Sequence, residues 1–285
     1  MNIFNKYTEK LVKLALGEDI GKGDITTEAL LIETQSGKAD FIANEDFIVA
    51  GLELVDYLFK MVDPLVITHK KVKDGHRIRK GSILVAIEGN VRSLMKGERV
   101  ALNFISRLSG IATLTSQYVE AVKPYGTKIM DTRKTTPGWR ILEKYAVTVG
   151  GGKSHRMGLY DQILIKDNHL KLCARETRNS VKIAIDRAVR RKGKYFVEVE
   201  IDDPELVTIA KGSGADRVML DNMTTDQMRR AIELAGGEIE LEASGGVSLD
   251  NVVEIAKTGV DAISIGGLTH SAESVDISME FRNGY

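Results

Sequence analysis

The chain has 285 residues, 43% of them hydrophobic, and its 40 basic side chains balance 40 acidic ones. That length supports one large domain or two smaller ones with a substantial core. The neutral balance argues against a protein that coats nucleic acid, and no apolar run reaches the length of a membrane span.

The single cysteine, Cys173, excludes an internal disulfide and a cysteine-rich zinc site. The start, MNIFNKYTEK, lacks the apolar stretch of a secretory signal, and the expectation is a soluble, cytoplasmic protein. LVKLALGEDIGKGDITTEALL begins with helical spacing and breaks at Gly21 and Gly23. GKADFIANEDFIVAG reads as strand, turn, strand, and a helix follows over about Leu52 to Met61. PLVITHKKVKDGHRIRKGSILVAIEG reads as short strands joined at DG and KG turns. From Met95 to Val122 the pattern is helical, so an α+β domain closed by a long helix is expected over 1–120.

From Lys128 the texture changes. Short β-rich runs recur at 128–133, 162–167, 195–201, 217–221, 238–244 and 262–267, with helical stretches at Ser180–Lys192, Pro204–Ser213, Thr225–Leu234 and Leu249–Thr258. Alternation of this kind means parallel strands with right-handed crossovers. It predicts an incomplete (β/α) barrel over 121–285, its last residues able to pack back on the N-terminal domain, with an open doubly wound sheet as the alternative. GGG at 150–152 does not form the dinucleotide fingerprint and reads as a hinge or a loop.

Polar and small residues fall at the strand ends: Arg133 and Lys134, Lys166 and Asp167, Glu200, Asp221, Ser244, then Gly266. Single cases are ordinary solvated ends, but in (β/α) barrels reactive groups converge from the carboxyl ends of different strands. The stretch from Lys128 to His169 also carries eight Lys or Arg against four Asp or Glu. Such crowding is costly unless an anion sits among the cations. Arg133, Arg156, Arg140 and Arg99 can grip carboxylates or phosphates in bidentate fashion, although Arg99 or Arg140 alone also fits a surface salt bridge. The turns Ser244-Gly245-Gly246 and Ile265-Gly266-Gly267 let backbone N–H groups approach a phosphate, or are plain tight turns. Glu200 and Asp221 suit a divalent cation or sugar hydroxyls, or a salt bridge to Lys166 or Arg133.

His155 sits in the cationic stretch and is read as a ligand contact, and His270 follows the last glycine turn, where it can face a bound phosphate. His169 is either an orienting residue or an exposed one, and His69 and His76 are read as solvated. No HxH or HxxxH pair supports a histidine-bound zinc, and no GxSxG elbow or cysteine–histidine pair suggests a covalent nucleophile. The residue types take the reading as far as phosphosugar chemistry in a barrel.

DTRKTTPGWRILEKYAVTVGGGKSHRMGLYDQILIKDNH, with EDIGKGDITT, ERVALNFISRLSGIAT, VEVEIDD, MLDN, EASGGV and IGGLTHS, resembles the quinolinate phosphoribosyltransferase family. The motifs run in the family's order from residue 18 to residue 271, nearly the whole chain. The resemblance implies an N-terminal α/β sandwich domain beside an incomplete (β/α) barrel. It implies that quinolinate and 5-phosphoribosyl-1-pyrophosphate are converted to nicotinate mononucleotide, pyrophosphate and CO₂ with Mg²⁺. It implies a homodimer, or a larger assembly of dimers, in which Arg99 reaches the neighbouring subunit's site. By the same resemblance Arg99, Arg133, His155, Arg156 and Lys166 meet quinolinate. Thr132, Lys134, Glu200, Asp221, Ser244, Gly245, Gly246, Ile265, Gly266, Gly267 and His270 hold the phosphoribosyl substrate, with Mg²⁺ at Glu200 and Asp221. Lys134, Lys166, Glu200 and Asp221 are the expected catalytic residues. Thr148 and Ser154 stand where many members carry other side chains.

Overall fold

The computed structural model describes residues 3–174 and 179–282. The chain divides into two units, Met1–Ser116 with Thr135–Gly151 and Leu268–Tyr285, and Gln117–Lys134 with Gly152–Gly267. Among the described residues no helix is long and apolar enough to cross a membrane.

The first unit opens with α1 (Lys6–Ile20) and α2 (Ile25–Leu30), followed by β1 (Ser36–Ala43) and β2 (Phe47–Ile48). These two strands flank a turn but do not pair with each other. The sheet order is β12-β1-β5-β3, while β2 pairs β4. In that sheet β3 is Ile67–Lys70, β5 is Ile83–Asn90 and β12 is Ile277–Phe281, while β4 is Arg77–Ile78. The turn at 44–46 therefore passes the chain between sheets. The C-terminal strand β12 runs antiparallel to β1, and Arg282 just beyond it grips Asp40 through two bonds of 2.8 and 2.7 Å. Helix α3 (Leu52–Val62) has glycine at its N-cap and no side-chain cap of its own. Asp74 takes that role from a distance, accepting from Gly51 and Leu52 N–H. Its face packs inward, with Phe59 edge-on to Phe41 of β1.

Helix α4 spans Val91–Val122. It is followed by β6 (Lys128–Met130) and then by α5 (Arg140–Val149), which returns to the first unit. The sequence pattern did not reveal α5, because its length is short and its cations mask the apolar stripe of Leu142, Ala146 and Val147. Gly150 closes α5 against α4: a Cβ there would meet Ala112 O at 2.4 Å, so the first glycine of GGG serves close packing rather than hinging.

The second unit is one parallel sheet in the order β6-β11-β10-β9-β8-β7. Its strands are β7 (Ile163–Ile165), β8 (Val197–Ile201), β9 (Arg217–Asp221), β10 (Glu240–Ser244) and β11 (Ala262–Ser264). The helices are α6 (Asp167–Ala174), α7 (Ser180–Arg191), α8 (Leu206–Gly212), α9 (Thr225–Ala235) and α10 (Val252–Ala256), with the short α11 (Gly267–His270) after β11. First strand pairs with last, as in a barrel and unlike a doubly wound sheet. The remaining edge of β6 carries a single parallel bridge, Met130 to Lys153, where a further strand would run. The barrel is therefore incomplete.

β8 explains why the interior is unusual. All five residues of VEVEI are buried. Period-two alternation puts Val197, Val199 and Ile201 on one face and Glu198 and Glu200 on the other. In β10 the same rule groups Glu240, Glu242 and Ser244, and in β9 Arg217, Met219 and Asp221. Where most such barrels stack branched aliphatics, this one stacks charges.

Candidate active site

Parallel pairing places the carboxyl ends of all six strands along one end of the sheet. Thr132, Arg133 and Lys134 follow β6, and His155 and Arg156 follow the Lys153 bridge. Lys166 follows β7, while Glu200 lies within β8 and Asp221 ends β9. Ser244–Gly246 and Ile265–Gly267 follow as turns after β10 and β11. Register fixes some neighbours: Ser244 stands opposite Asp221 on one side and Ser264 on the other. Arg99, exposed on α4, and His270, exposed at the end of α11 with Nδ1 2.6 Å from Ser271 Oγ, belong to the first unit.

Lys166 Nζ lies 2.7 Å from Glu200 Oε2. Its backbone N–H is accepted by His169 Nδ1 at 2.8 Å, so the exposed His169 also orients the strand end. His69 and His76 are exposed, as read. Thr132 Oγ1 accepts from Lys134 N–H and shapes the loop. At the β9 and β10 ends, Asn222 takes a positive φ of 52°, and its amide donates to Asp221 at 3.0 Å. Gly245 faces it with φ +95°, and a Cβ there would stand 2.2 Å from Asn222 Oδ1. Only glycine fits this turn without displacing Asn222 and, with it, the Asp221 carboxylate.

The cations are held by buried supports. Asp131, fully buried, accepts from His155 N–H at 2.8 Å. His155 is itself buried and turned inward: Nδ1 accepts from Arg156 N–H at 2.7 Å, and Nε2 lies 3.0 Å from Glu198 Oε2 and 3.6 Å from Glu242 Oε1. Arg156 is 8% exposed. Burial, and then the charge of Arg133, push its guanidinium below its usual basicity, against the pull of Glu198, Asp161 and Glu200. Two guanidinium groups are thus held near each other in a desolvated place, an arrangement that a bound anion relieves.

Below this layer lies a second one that strand-end reasoning missed. Arg217 Nη1 donates to Glu242 at 3.0 Å and Nη2 to Glu240 at 2.7 Å, while its guanidinium lies over the Phe196 ring. Burial, and then the charge of Glu198, push the Glu242 carboxyl above the usual carboxylate range. The signal for the two acids was present as the EVE and ELE alternation, which places Glu198 and Glu242 on the face of Glu200 and Ser244, two residues earlier in each strand. Among the described residues, His155, Glu198 and Glu242 are the one triad whose ligand atoms all lie within 4.8 Å of one another. Arg217 and His155 already answer those acids, so the triad reads as an internal ion network.

Models of the quinolinate phosphoribosyl transferase N-terminal and C-terminal domains match residues 24–109 and 111–280. The chain belongs to the quinolinate phosphoribosyltransferase family. It is 44% identical over 275 residues to the probable nicotinate-nucleotide pyrophosphorylase (carboxylating) of Bacillus subtilis, covering 95% of this chain and 92% of that protein. The chloroplastic nicotinate-nucleotide pyrophosphorylase (carboxylating) of Arabidopsis thaliana is 42% identical over 287 residues, covering 95% of this chain and 81% of that protein. The NadC crystal structure from Streptococcus pyogenes superposes with a TM-score of 0.92 at 38% identity, covering 98% of each chain. The nicotinate-nucleotide pyrophosphorylase of Francisella tularensis gives 0.92 at 36% identity, over 99% of this chain and 98% of that one. Family membership accounts for the pairing of a small antiparallel unit with an incomplete barrel.

Proposed function

We infer that this chain transfers the phosphoribosyl group of 5-phosphoribosyl-1-pyrophosphate to quinolinate. The products are nicotinate mononucleotide, pyrophosphate and CO₂, as in de novo NAD biosynthesis. Beyond family membership, the observation that carries this reading is the juxtaposition of the half-buried Arg133 with the buried Arg156. It suits a substrate with two adjacent carboxylates, each able to take a guanidinium fork.

The pyridine nitrogen attacks C1 of the ribose as the bond to pyrophosphate breaks, so no protein nucleophile is needed. Glu200 and Asp221 lie beside the ribose and favour the positive charge that develops on it. Lys134 and the turns at Ser244–Gly246 and Ile265–Gly267 take the phosphates, with Thr132 shaping the loop and His270 reaching the same anion. In the second stage the ring nitrogen is quaternary. The bond to the adjacent carboxylate breaks, CO₂ leaves, and the electron pair stays on the ring carbon beside the positive nitrogen until a proton replaces it. Lys166 holds the remaining carboxylate in place. Much of the gain comes from bringing two mutually repelling anions together.

Glu200 and Asp221 are hard oxygen donors at the ends of adjacent strands, which suits Mg²⁺ carried by a pyrophosphate. When bound, that ion neutralises charge on the leaving group. The active unit is a homodimer, or an assembly of dimers, in which Arg99 of one subunit completes its partner's quinolinate site.

Incubation of the purified protein with quinolinate, phosphoribosyl pyrophosphate and Mg²⁺ is expected to release CO₂ and nicotinate mononucleotide in equal amounts. Nicotinate in place of quinolinate is expected to give none. Failure to form product, or equal use of nicotinate, overturns the reading.

Gly245→Ala is expected to raise KM for phosphoribosyl pyrophosphate by about tenfold, because the strained turn displaces Asn222 and the Asp221 carboxylate. The KM for quinolinate is expected to stay within about twofold. Steady-state kinetics with each substrate varied in turn checks both values.

A further inference from the structure

Arg156 is held at both ends, and both holds lead to one oxygen atom. Its backbone N–H donates to His155 Nδ1 at 2.7 Å, and its guanidinium Nη1 donates to the Gln162 carbonyl at 3.3 Å. His155 Nε2 and the Gln162 side-chain amide then converge on Glu198 Oε2, at 3.0 and 2.6 Å. Glu198 is fully buried, on the second residue of β8.

A ring nitrogen that accepts an N–H carries no proton, so the proton of His155 sits on Nε2, which faces the Glu198 carboxylate. The Gln162 amide donates to Glu198 Oε2, while His155 Nε2 lies 3.0 Å from the same oxygen in an electrostatic contact without hydrogen-bond geometry, and the Glu198 charge attracts the Arg156 cation as well. Glu242 faces His155 from β10, with Arg217 against it from β9, which closes the network from below.

We propose that Glu198 is a positioning residue: its single buried oxygen, acting through His155 and Gln162, sets the place of the Arg156 guanidinium and so the affinity for the aromatic diacid. This inference rests on the reading that Arg156 meets quinolinate. Glu198 touches no substrate, and its influence is confined to the half of the site that Arg156 serves.

The test compares Glu198→Ala, Glu198→Gln, Gln162→Leu and Arg156→Ala. Glu198→Ala is expected to raise KM for quinolinate about tenfold with the KM for phosphoribosyl pyrophosphate within about twofold. Glutamine can present its carbonyl where Oε2 stands and keep the Gln162 hydrogen bond and the short contact with His155, so Glu198→Gln is expected to recover most of the loss. Gln162→Leu severs one arm and is expected to give a rise of about threefold. If Glu198→Ala does not fold, the glutamine and Gln162→Leu variants carry the comparison: a rise confined to the quinolinate KM in Gln162→Leu supports the proposal, and none in either refutes it. In the double variant with Arg156→Ala, Glu198→Ala is expected to add little, because both act through one guanidinium. Equal rises in both KM values, or full additivity, overturns the inference. An unchanged quinolinate KM in Arg156→Ala instead overturns the underlying assignment, so the two failures are distinguishable.

Discussion

Lys166→Ala and Arg133→Ala are each expected to lower kcat/KM by about 10²–10³ while thermal stability changes little. Lys166 Nζ is committed to one partner, Glu200, and its side chain is 45% exposed. The lysine end of this pair is open to water while Glu200 is buried, so its loss is expected to cost folding about 1 kcal/mol. The strand end is secured separately, by the bond from the Lys166 backbone N–H to His169. Removing the ammonium therefore spares the fold. In the site the loss is larger: one cation disappears from the anion pocket, and Glu200 is left to repel whatever polyanion arrives. Arg133 stands just after β6 and shares its surroundings with Arg156. Its removal takes away half of a paired-guanidinium site whose partner cannot move, because Arg156 is anchored at both ends. Initial rates with both substrates, together with thermal melts, check the prediction. Unfolding of both variants would show that these residues belong to the core rather than the site.

Arg99→Ala and Lys166→Ala, each nearly inactive alone, are expected to regain activity when mixed. In a two-fold dimer with shared sites, random exchange makes half of the dimers hybrids, and each hybrid has one site with both residues intact. The mixture is therefore expected to reach about a quarter of the unmodified activity after subunit exchange. A mixture as inactive as its components would place Arg99 in its own subunit's site or outside any site. Arg99 is exposed on helix α4 and belongs to the first unit, whereas Lys166 belongs to the second, and this assignment to different units calls for the experiment.

Much of this molecule was legible in its residues. The change of texture at Lys128, the six β-rich runs and the polar strand ends led to a parallel barrel with its chemistry at the carboxyl ends, and all six strands are present. The open doubly wound alternative falls because β6 pairs with β11. Four helices, α2, α5, α6 and α11, escaped notice because each is short, with ten residues or fewer. The return of the last residues to the first domain was anticipated, but not that they form the strand β12, because pairing with β1 is decided by a partner at the other end of the chain. His155 carried the right type and place for a ligand, yet its ring turns to Glu198, since a buried imidazole is directed by whichever acceptor the neighbouring strands supply.

The sequence by itself determined the family, the order of strands and helices, and which residues end each strand, because periodicity and turn chemistry are local properties of the chain. Only the tertiary structure decided that Glu198, Glu242 and Arg217 form a second charged layer beneath the site, and that the Gln162 amide and His155 Nε2 both approach one carboxylate oxygen of Glu198. Alternation tells which residues share a face of one strand. What those side chains meet depends on strand order and register, which bring together groups that no local pattern links.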